Sequence, residues 1–409
     1  MKSLCVLCRG TKALCGKNRC PVLVRARYWN QTRSLIDSLE LNGSSPPGVF
    51  VGRYGYPKVF VGPLIPPIHG DTSLLDTPEL WVGKTIDDIV GFRSSLIRTK
   101  VPIKIEDTDN KIAEIVRDIS LAGSSIDLEA TLLKKPFGRV VFSDSVQPLG
   151  PSAPLKSLDL STIKLDQKME RRSADTDLKA NPAVIELYKD GIEISRIEKS
   201  FSTGSYGLKR GRKLVPTRWA ITAVDDIISK SLREKIKEHP TIDEYRVYRT
   251  IGIDNRWFIL MMPLVWMYEL IEAWYPNTTW NLYGGETAIY NSAEGYEGRK
   301  KYAEIGGCYY AARLAVTEKL LSERRQAAVL ILREAHPGYI MPVGVWNVRE
   351  HVRDALKKKY QSYDSLDSAL EEVMKVMDIP LLKWIENSSI LGELKRQRRL
   401  EEFIGDDGI

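Results

Sequence analysis

Long apolar runs are missing from this 409-residue chain. Its greasiest stretch, Trp257 to Tyr268 (WFILMMPLVWMY), is interrupted by Pro263. It falls well short of the ~20 apolar residues that cross a bilayer, so it is expected as buried core. The start, MKSLCVLCRGTKALCGKNRC, is broken by Lys and Arg and lacks the apolar centre of a secretory leader. Cysteine is scarce as well: five in all, an odd count that excludes a disulfide scaffold. Histidine numbers only four, which narrows acid–base candidates sharply. Neither charge sign dominates, since 60 Lys and Arg face 53 Asp and Glu for a formal +7. That balance admits a nucleic-acid partner without requiring one. Fixed-period repeats and low-complexity tracts are absent too. What remains, 43% hydrophobic and 28% charged, sustains a core and excludes wholesale disorder. The expectation is a cytoplasmic protein with reduced thiols and about two to three domains.

Residues 49–62 (VFVGRYGYPKVFVG) read as two short β runs around a Gly/Pro turn. Thr85 caps a helix whose Asp87 and Asp88 suit its positive end, and 110–122 forms a second amphipathic helix. Arg139–Phe142 (RVVF) looks like a short strand. Ser, Pro, Asp and Lys dominate 143–182, expected as an exposed insertion or a seam. Residues 184–202 look strand-like, 225–239 helical, Tyr302–Ser322 helical, 327–332 a buried strand and 366–377 helical. The fold class expected is a mixed α/β or α+β core, with a small N-terminal zinc-binding module and a flexible C-terminal peptide tail. The division expected is a zinc module at 1–24, an α/β region at 25–285, a mostly helical region at 286–386, and a tail at 387–409.

Four of the five cysteines fall in the first 20 residues: Cys5, Cys8, Cys15 and Cys20, spaced C-x2-C-x6-C-x4-C. Four soft ligands from two short knuckles satisfy tetrahedral Zn²⁺ and close its shell, so the metal is expected to be structural. The alternative is a reduced tail with chance cysteines. Cys308 reads as a packed core thiol.

At the other end, ELKRQRRLEEFIGDDGI places Gln397, Leu400, Phe403 and Ile404 so that one tight helical turn presents three apolar prongs beside an amide. The pattern resembles the short motif by which repair proteins dock onto the sliding clamp PCNA, with Ile404 in place of the usual second aromatic. An amphipathic last turn packed on the body is the other reading.

Both ends, and the segments FVGRYGYPKVFVGPL (50–64), LVPTRWAITAVDD (214–226), GGCYYAARLAV (306–316) and MPVGVWNVREHVR (341–353), resemble the archaeal NreA DNA-repair family over essentially the whole chain. The resemblance implies a PCNA-associated role in DNA repair, zinc on the four cysteines and clamp binding by Gln397, Leu400, Phe403 and Ile404. It implies no reaction.

Within the body, 204–219 gathers Lys209, Arg210, Arg212, Lys213 and Arg218 without an acid. Its glycines let backbone N–H groups approach a phosphate, and Tyr206 and Trp219 offer rings to bases. No Walker pattern is present. A solvated basic loop fits the same residues. The second cluster, 333–353, holds His336, His351, Glu334 and Glu350 as acid–base candidates, with Arg333 and Arg349 as phosphate clamps. Packing and helix-surface pairs are the alternative there. Asp225 and Asp226 are expected as first-turn acids rather than metal ligands.

The reading is a DNA-repair factor tethered to PCNA, with a body that handles DNA or nucleotide phosphates and that joins the nucleoid when on DNA. Its rivals are an enzyme acting on a nucleotide or nucleic-acid phosphate, phosphoesterase- or nuclease-like, and a non-catalytic protein–protein adaptor.

Overall fold

The computed structural model describes residues 4–17, 19–33, 36–138, 147–281 and 285–394. Two compact units emerge. Unit 1 takes the described residues of Met1–Leu14, Arg19–Ile228 and Met341–Gly344; unit 2 takes those of Cys15–Asn18, Ser229–Ile340 and Val345–Ile409.

Unit 1 opens with helices α1 (Leu4–Cys8) and α2 (Pro21–Arg33), then strands β1 (Glu40–Ser45), β2 (Val49–Val51) and β3 (Lys58–Ile65). Helix α3 (Ile86–Ser95), β4 (Ile97–Lys104), α4 (Lys111–Leu121), β5 (Ile126–Leu132) and β6 (Ser152–Leu160) follow. The strands form one sheet in the order β1-β5-β6-β4-β3-β2, antiparallel except for the β4–β6 pair. Strand β5 (IDLEATL) shows why: Ile126, Leu128, Ala130 and Leu132 bury at every second residue. They meet Val59, Val61, Ile97 and Ile103 from the same sheet, and Val116 and Ile119 of α4. The expected 49–62 pairing is present, with Val49 opposite Pro63 and Val51 opposite Val61. Thr85 caps α3 in a reciprocal box: its hydroxyl accepts from the Asp88 N–H at 3.2 Å, and the Asp88 carboxylate accepts from the Thr85 N–H at 2.9 Å.

Three expectations for this unit need correction. The 143–182 stretch is no exposed insertion where it is described: it supplies β6 to the middle of the sheet and α5 (Gln167–Ala174). The strand-like 184–202 stretch folds as helices α6 (Ala180–Lys189) and α7 (Ile194–Ser202). Its β-branched composition is outweighed by helical spacing, since Ala183, Val184 and Leu187 bury together, as do Ile194 and Ile197. Helix α8 (Thr217–Ile236) starts eight residues before the expected 225, directly after Pro216. Asp225 and Asp226 therefore lie mid-helix, with Asp225 fully buried.

Unit 2 contains β7 (Tyr245–Gly252), β8 (Asn255–Met262), β9 (Met267–Trp274), β10 (Ala288–Glu294), α9 (Gly307–Glu323) and β11 (Ala328–Ala335). Helix α10 (Trp346–Lys357), β12 (Gln361–Tyr363), α11 (Leu366–Glu371), α12 (Val373–Val376) and α13 (Leu381–Glu386) complete it. The sheet order is β10-β9-β11-β8-β7-β12, with β9 and β11 parallel. Every residue of β11 is buried because the sheet is covered on both faces. Trp257, Ile259, Val329 and Ile331 meet α9 and α10 on one side. Phe258, Leu260, Leu330 and Leu332 meet α11 and the segment to Leu391 on the other. The Trp257–Tyr268 run is thus buried core, divided between β8 and β9. The expected 366–377 helix breaks at Glu372 into α11 and α12. Compact packing divides the chain inside α8, because β11 completes a sheet begun by β7–β10. No helix among the described residues is long and apolar enough to cross a membrane. The expected strand at 139–142 lies outside the described residues.

Candidate nucleic-acid interface

In unit 1, the start of α8 is pinned to the edge strand by a hydrogen bond from the Val51 N–H to the Thr217 hydroxyl, at 3.0 Å. This sets Trp219 against Tyr56 of the β2–β3 turn, ring centroids 5.3 Å apart and planes inclined at 55°. Tyr54 is 77% exposed, Tyr56 51% and Trp219 46%. Arg53 lies over the Tyr54 ring at 5.1 Å, while Arg218, Lys209 and Arg210 are exposed nearby in sequence. The basic segment splits in role. Arg212 donates to the Gly207 and Asp175 carbonyls, each at 2.9 Å, so it fastens its own loop, and Lys213 faces Glu106 at 3.8 Å. Gly204 and Gly207 adopt left-handed backbone that only glycine takes freely. Tyr206 cannot stack on a base: it is buried, donates to the Ser200 hydroxyl at 2.9 Å, and burial pushes its phenol up.

Unit 2 uses most of its polar candidates for packing. Arg333 is fully enclosed, donating to Glu272 at 2.6 Å and Asn255 at 2.9 Å. Its guanidinium lies 4.9 Å from both the Trp257 and Trp274 rings and 5.5 Å from Tyr339, a cage with no face left for a phosphate. Glu334 accepts from the Asp378 and Ile379 N–H groups at 3.2 and 2.8 Å and meets the His336 ring at 3.1 Å. His336 stacks on Tyr275, centroids 4.4 Å apart, and burial beside Glu334 and Asp378 raises the Tyr275 phenol to about 12. Ligand atoms of Glu334, His336 and Asp378 lie within 4.8 Å of one another. Asp378 also pairs with Arg256 and Glu334 holds two backbone donors, so the group fastens β11 to the turn before α13. His351 sits apart from it, donating from Nδ1 to the Asn347 carbonyl (2.8 Å) and stacked on Trp257. Burial lowers its imidazole. Arg349 and Arg353 both bond Glu350, and Arg353 reaches Glu318 with two bonds of 2.6 and 2.8 Å, locking α10 to α9. Arg333 and Arg349, read from the sequence as phosphate clamps, are therefore buried and paired, because β11 and the α9–α10 contact enclose them.

Residues 14–281 match the profile of the archaeal Nre N-terminal region and 294–403 that of the archaeal Nre C-terminal region. The chain belongs to the archaeal Nre family. A DNA repair protein NreB from Archaeoglobus fulgidus is 42% identical over 401 residues, 98% of this Nre chain and 100% of the relative. The DNA repair protein NreA of the same organism is 35% identical, with 98% of each chain covered. NreA of Haloferax volcanii is 33% identical over 90% of each. No solved structure matches.

The Nre chain does not gather its N-terminal sulfurs as the sequence led us to expect. Cys5 and Cys8 are buried on α1 and Cys20 is half-buried, and these three do not converge to ligand spacing; Cys15 is assigned with unit 2. Cys5 and Cys8 stand three residues apart on the five-residue helix α1. Cys8 has a knuckle-like setting. Its thiol is lowered chiefly by the Leu14 N–H, with further backbone donors at Lys12, Gly10 and Ala13, against the opposing effect of burial. Cys308 is half-buried against the unit 2 core. Gln397, Leu400, Phe403 and Ile404 lie outside the described residues. Sequence reading missed Tyr54, Tyr56 and Arg53 as site residues. Their signal was the turn itself, where two aromatics beside Gly55 and Pro57 have no core to enter.

Proposed function

We propose that this chain is a DNA-repair factor whose body binds DNA through unit 1 and whose tail docks on the sliding clamp. The observation that carries the reading is the exposed Tyr56–Trp219 ring pair with Arg53 and Arg218 beside it in the chain. Bases stack on exposed rings and phosphates pair with flanking cations, so this surface has the chemistry of a nucleic-acid contact. The names of the relatives support the repair context. In this reading Gln397, Leu400, Phe403 and Ile404 engage PCNA, and the tether raises the local concentration of a weakly binding body at DNA. Structural zinc belongs to the same proposal: binding would have to draw Cys5, Cys8, Cys15 and Cys20 together as donors, and the N–H groups around Cys8 favour its thiolate. Zinc there closes a knuckle and supplies no reactive position. The phosphate-ester enzyme reading has less support, because Glu334, His336, Glu350 and His351 are committed to partners within unit 2.

The test is fluorescence anisotropy of labelled DNA with the full chain at low salt, alongside capture by immobilised PCNA. Arg218→Gln combined with Trp219→Ala should weaken DNA binding at least tenfold, and removing 397–404 should abolish capture. Unchanged affinity and undiminished capture would remove the reading.

A further inference from the structure

The half-sheet β4-β3-β2 contains no acidic residue: VFV, KVFVGPLI and IRTKVPIK are the three strands. The other half carries Glu40, Asp127, Glu129 and Asp159 on β1, β5 and β6. Strand alternation sends Val59, Val61, Ile97 and Ile103 to the core and their neighbours to the opposite face. Register then assembles that second face. Lys58 sits opposite Lys104 and Phe60 opposite Pro102. Phe50 sits opposite Gly62, with Lys100 and Arg98 two and four residues from Pro102 along β4.

Side-chain contacts agree with the register. The Lys100 ammonium is 5.8 Å from the centre of the Phe60 ring, and the Arg98 guanidinium is 5.4 Å from that of Phe50. Phe60 is 44% exposed although it stands inside an eight-residue strand, paired with strands on both sides. Arg98 donates to the Gly150 carbonyl at 3.2 and 3.1 Å, a neutral partner that leaves its charge uncompensated. Burial, with the charge of Arg93, lowers Arg98 to about 10; burial, with the charge of Arg98, lowers Lys100. Two partly desolvated cations side by side, with no carboxylate paired to either among the described residues, gain most from an arriving anion. Gly62 keeps the floor between them low, since a Cβ there would stand 2.2 Å from the Thr99 carbonyl oxygen.

We propose that this face is a platform for single-stranded DNA: Phe60 and Phe50 stack on unpaired bases, while Lys58, Lys100 and Lys104 take successive phosphates. The inference rests on the DNA-binding reading above and adds the form of the substrate. Rings standing out of a sheet reach the faces of bases only where those faces are not already stacked inside a duplex, whereas cations alone would accept either form. The hairpin tip with Tyr54 and Tyr56 extends the same strand pair, so bases leaving the face meet further rings.

The experiment measures full-length protein binding to a labelled oligothymidylate, to a duplex of equal length, and to oligouridylate, across a salt series. The wild type should favour the DNA single strand over duplex by about tenfold, or about 1.4 kcal/mol. Phe60→Ala should lose most of that preference with duplex affinity unchanged, and Phe60→Tyr should retain it. Each of Lys58→Gln and Lys104→Gln should lower the single-strand salt slope by about 0.7. Circular dichroism melts confirm that these exposed substitutions leave the fold intact. Equal affinity for both DNA forms with no effect of Phe60→Ala sinks the platform while leaving DNA binding standing. Preference for oligouridylate overturns the DNA assignment, and no binding to any strand at low salt removes the DNA-binding reading with it.

Discussion

His351 and Gly252 in unit 2 are fitted so closely that a single methyl cannot be added between them: a Cβ built on Gly252 would stand 2.0 Å from the imidazole Nε2. The glycine ends β7, and its neighbours in the turn, Ile253 and Asp254, both take positive φ. Asp254 accepts from the His336 N–H at 3.0 Å and the Gly338 N–H at 2.6 Å, and the Asn255 amide donates to the Ile253 carbonyl at 2.7 Å. A β-branched residue at positive φ is costly, and those bonds hold it there.

Gly252→Ala should therefore destabilise unit 2 by about 1–3 kcal/mol through overpacking. Adding His351→Ala should recover part of the loss in a double-mutant cycle followed by urea unfolding. Additive losses would show that the two residues do not couple. Gly211→Ala, with open space around it, should be close to neutral.

Ile253→Gly should raise stability by about 0.5–1 kcal/mol, because glycine adopts the turn without strain. A lower melting temperature would contradict the strain assigned to Ile253.

The caged pair Arg333–Glu272 should be unforgiving. Glu272→Ala leaves a buried guanidinium without its carboxylate and should cost about 3–5 kcal/mol. Asp37→Ala, which breaks the exposed Lys135–Asp37 pair (2.8 Å), should cost under about 1 kcal/mol. Comparable losses in denaturant would mean that burial does not govern these pairs.

Acidification should weaken unit 2 through His351. Burial lowers the folded imidazole below its ordinary value near 6.5, so the unfolded chain binds the proton more readily. The stabilising difference is present above pH 6.5 and is lost as pH falls below it toward the folded value. Melting temperature against pH should fall less steeply over that window in His351→Gln than in the wild type, and identical slopes would exclude the histidine as the cause.

Metal content tests the N-terminal thiols. One equivalent of zinc should accompany purified protein and be lost from Cys8→Ser or on chelation, with a lower melting temperature. Protein that is metal-free under reducing, chelator-free purification would return the four cysteines to ordinary thiols.

Periodicity and caps were legible without coordinates. Thr85 with Asp88 announced α3, alternation around Gly55–Pro57 announced β2 and β3, and the spacing of the chain's last third announced α9. Residues 184–202 misled because Val, Ile and Tyr suit strands by composition, and only packing revealed that Val184, Leu187, Ile194 and Ile197 share a helical interior. The charged candidates misled for a related reason. Local sequence shows which groups can meet a phosphate, but Glu272, sixty-one positions from Arg333, meets it first.

What the sequence determined by itself was chemistry and period: a mixed α and β core, a cysteine-bearing start, and a basic, glycine-broken segment leading into Trp219. The region expected as mostly helical at 286–386 instead supplies β10, β11 and β12 to a sheet. Tertiary structure alone decided which charges are spent and which remain. Strand register, a long-range property, joined Phe50, Phe60, Lys58, Lys100 and Lys104 into one acid-free face, whereas sheet burial on both sides closed the Arg333 cage. Exposure follows from how distant segments cover one another, and no local pattern of residues encodes that.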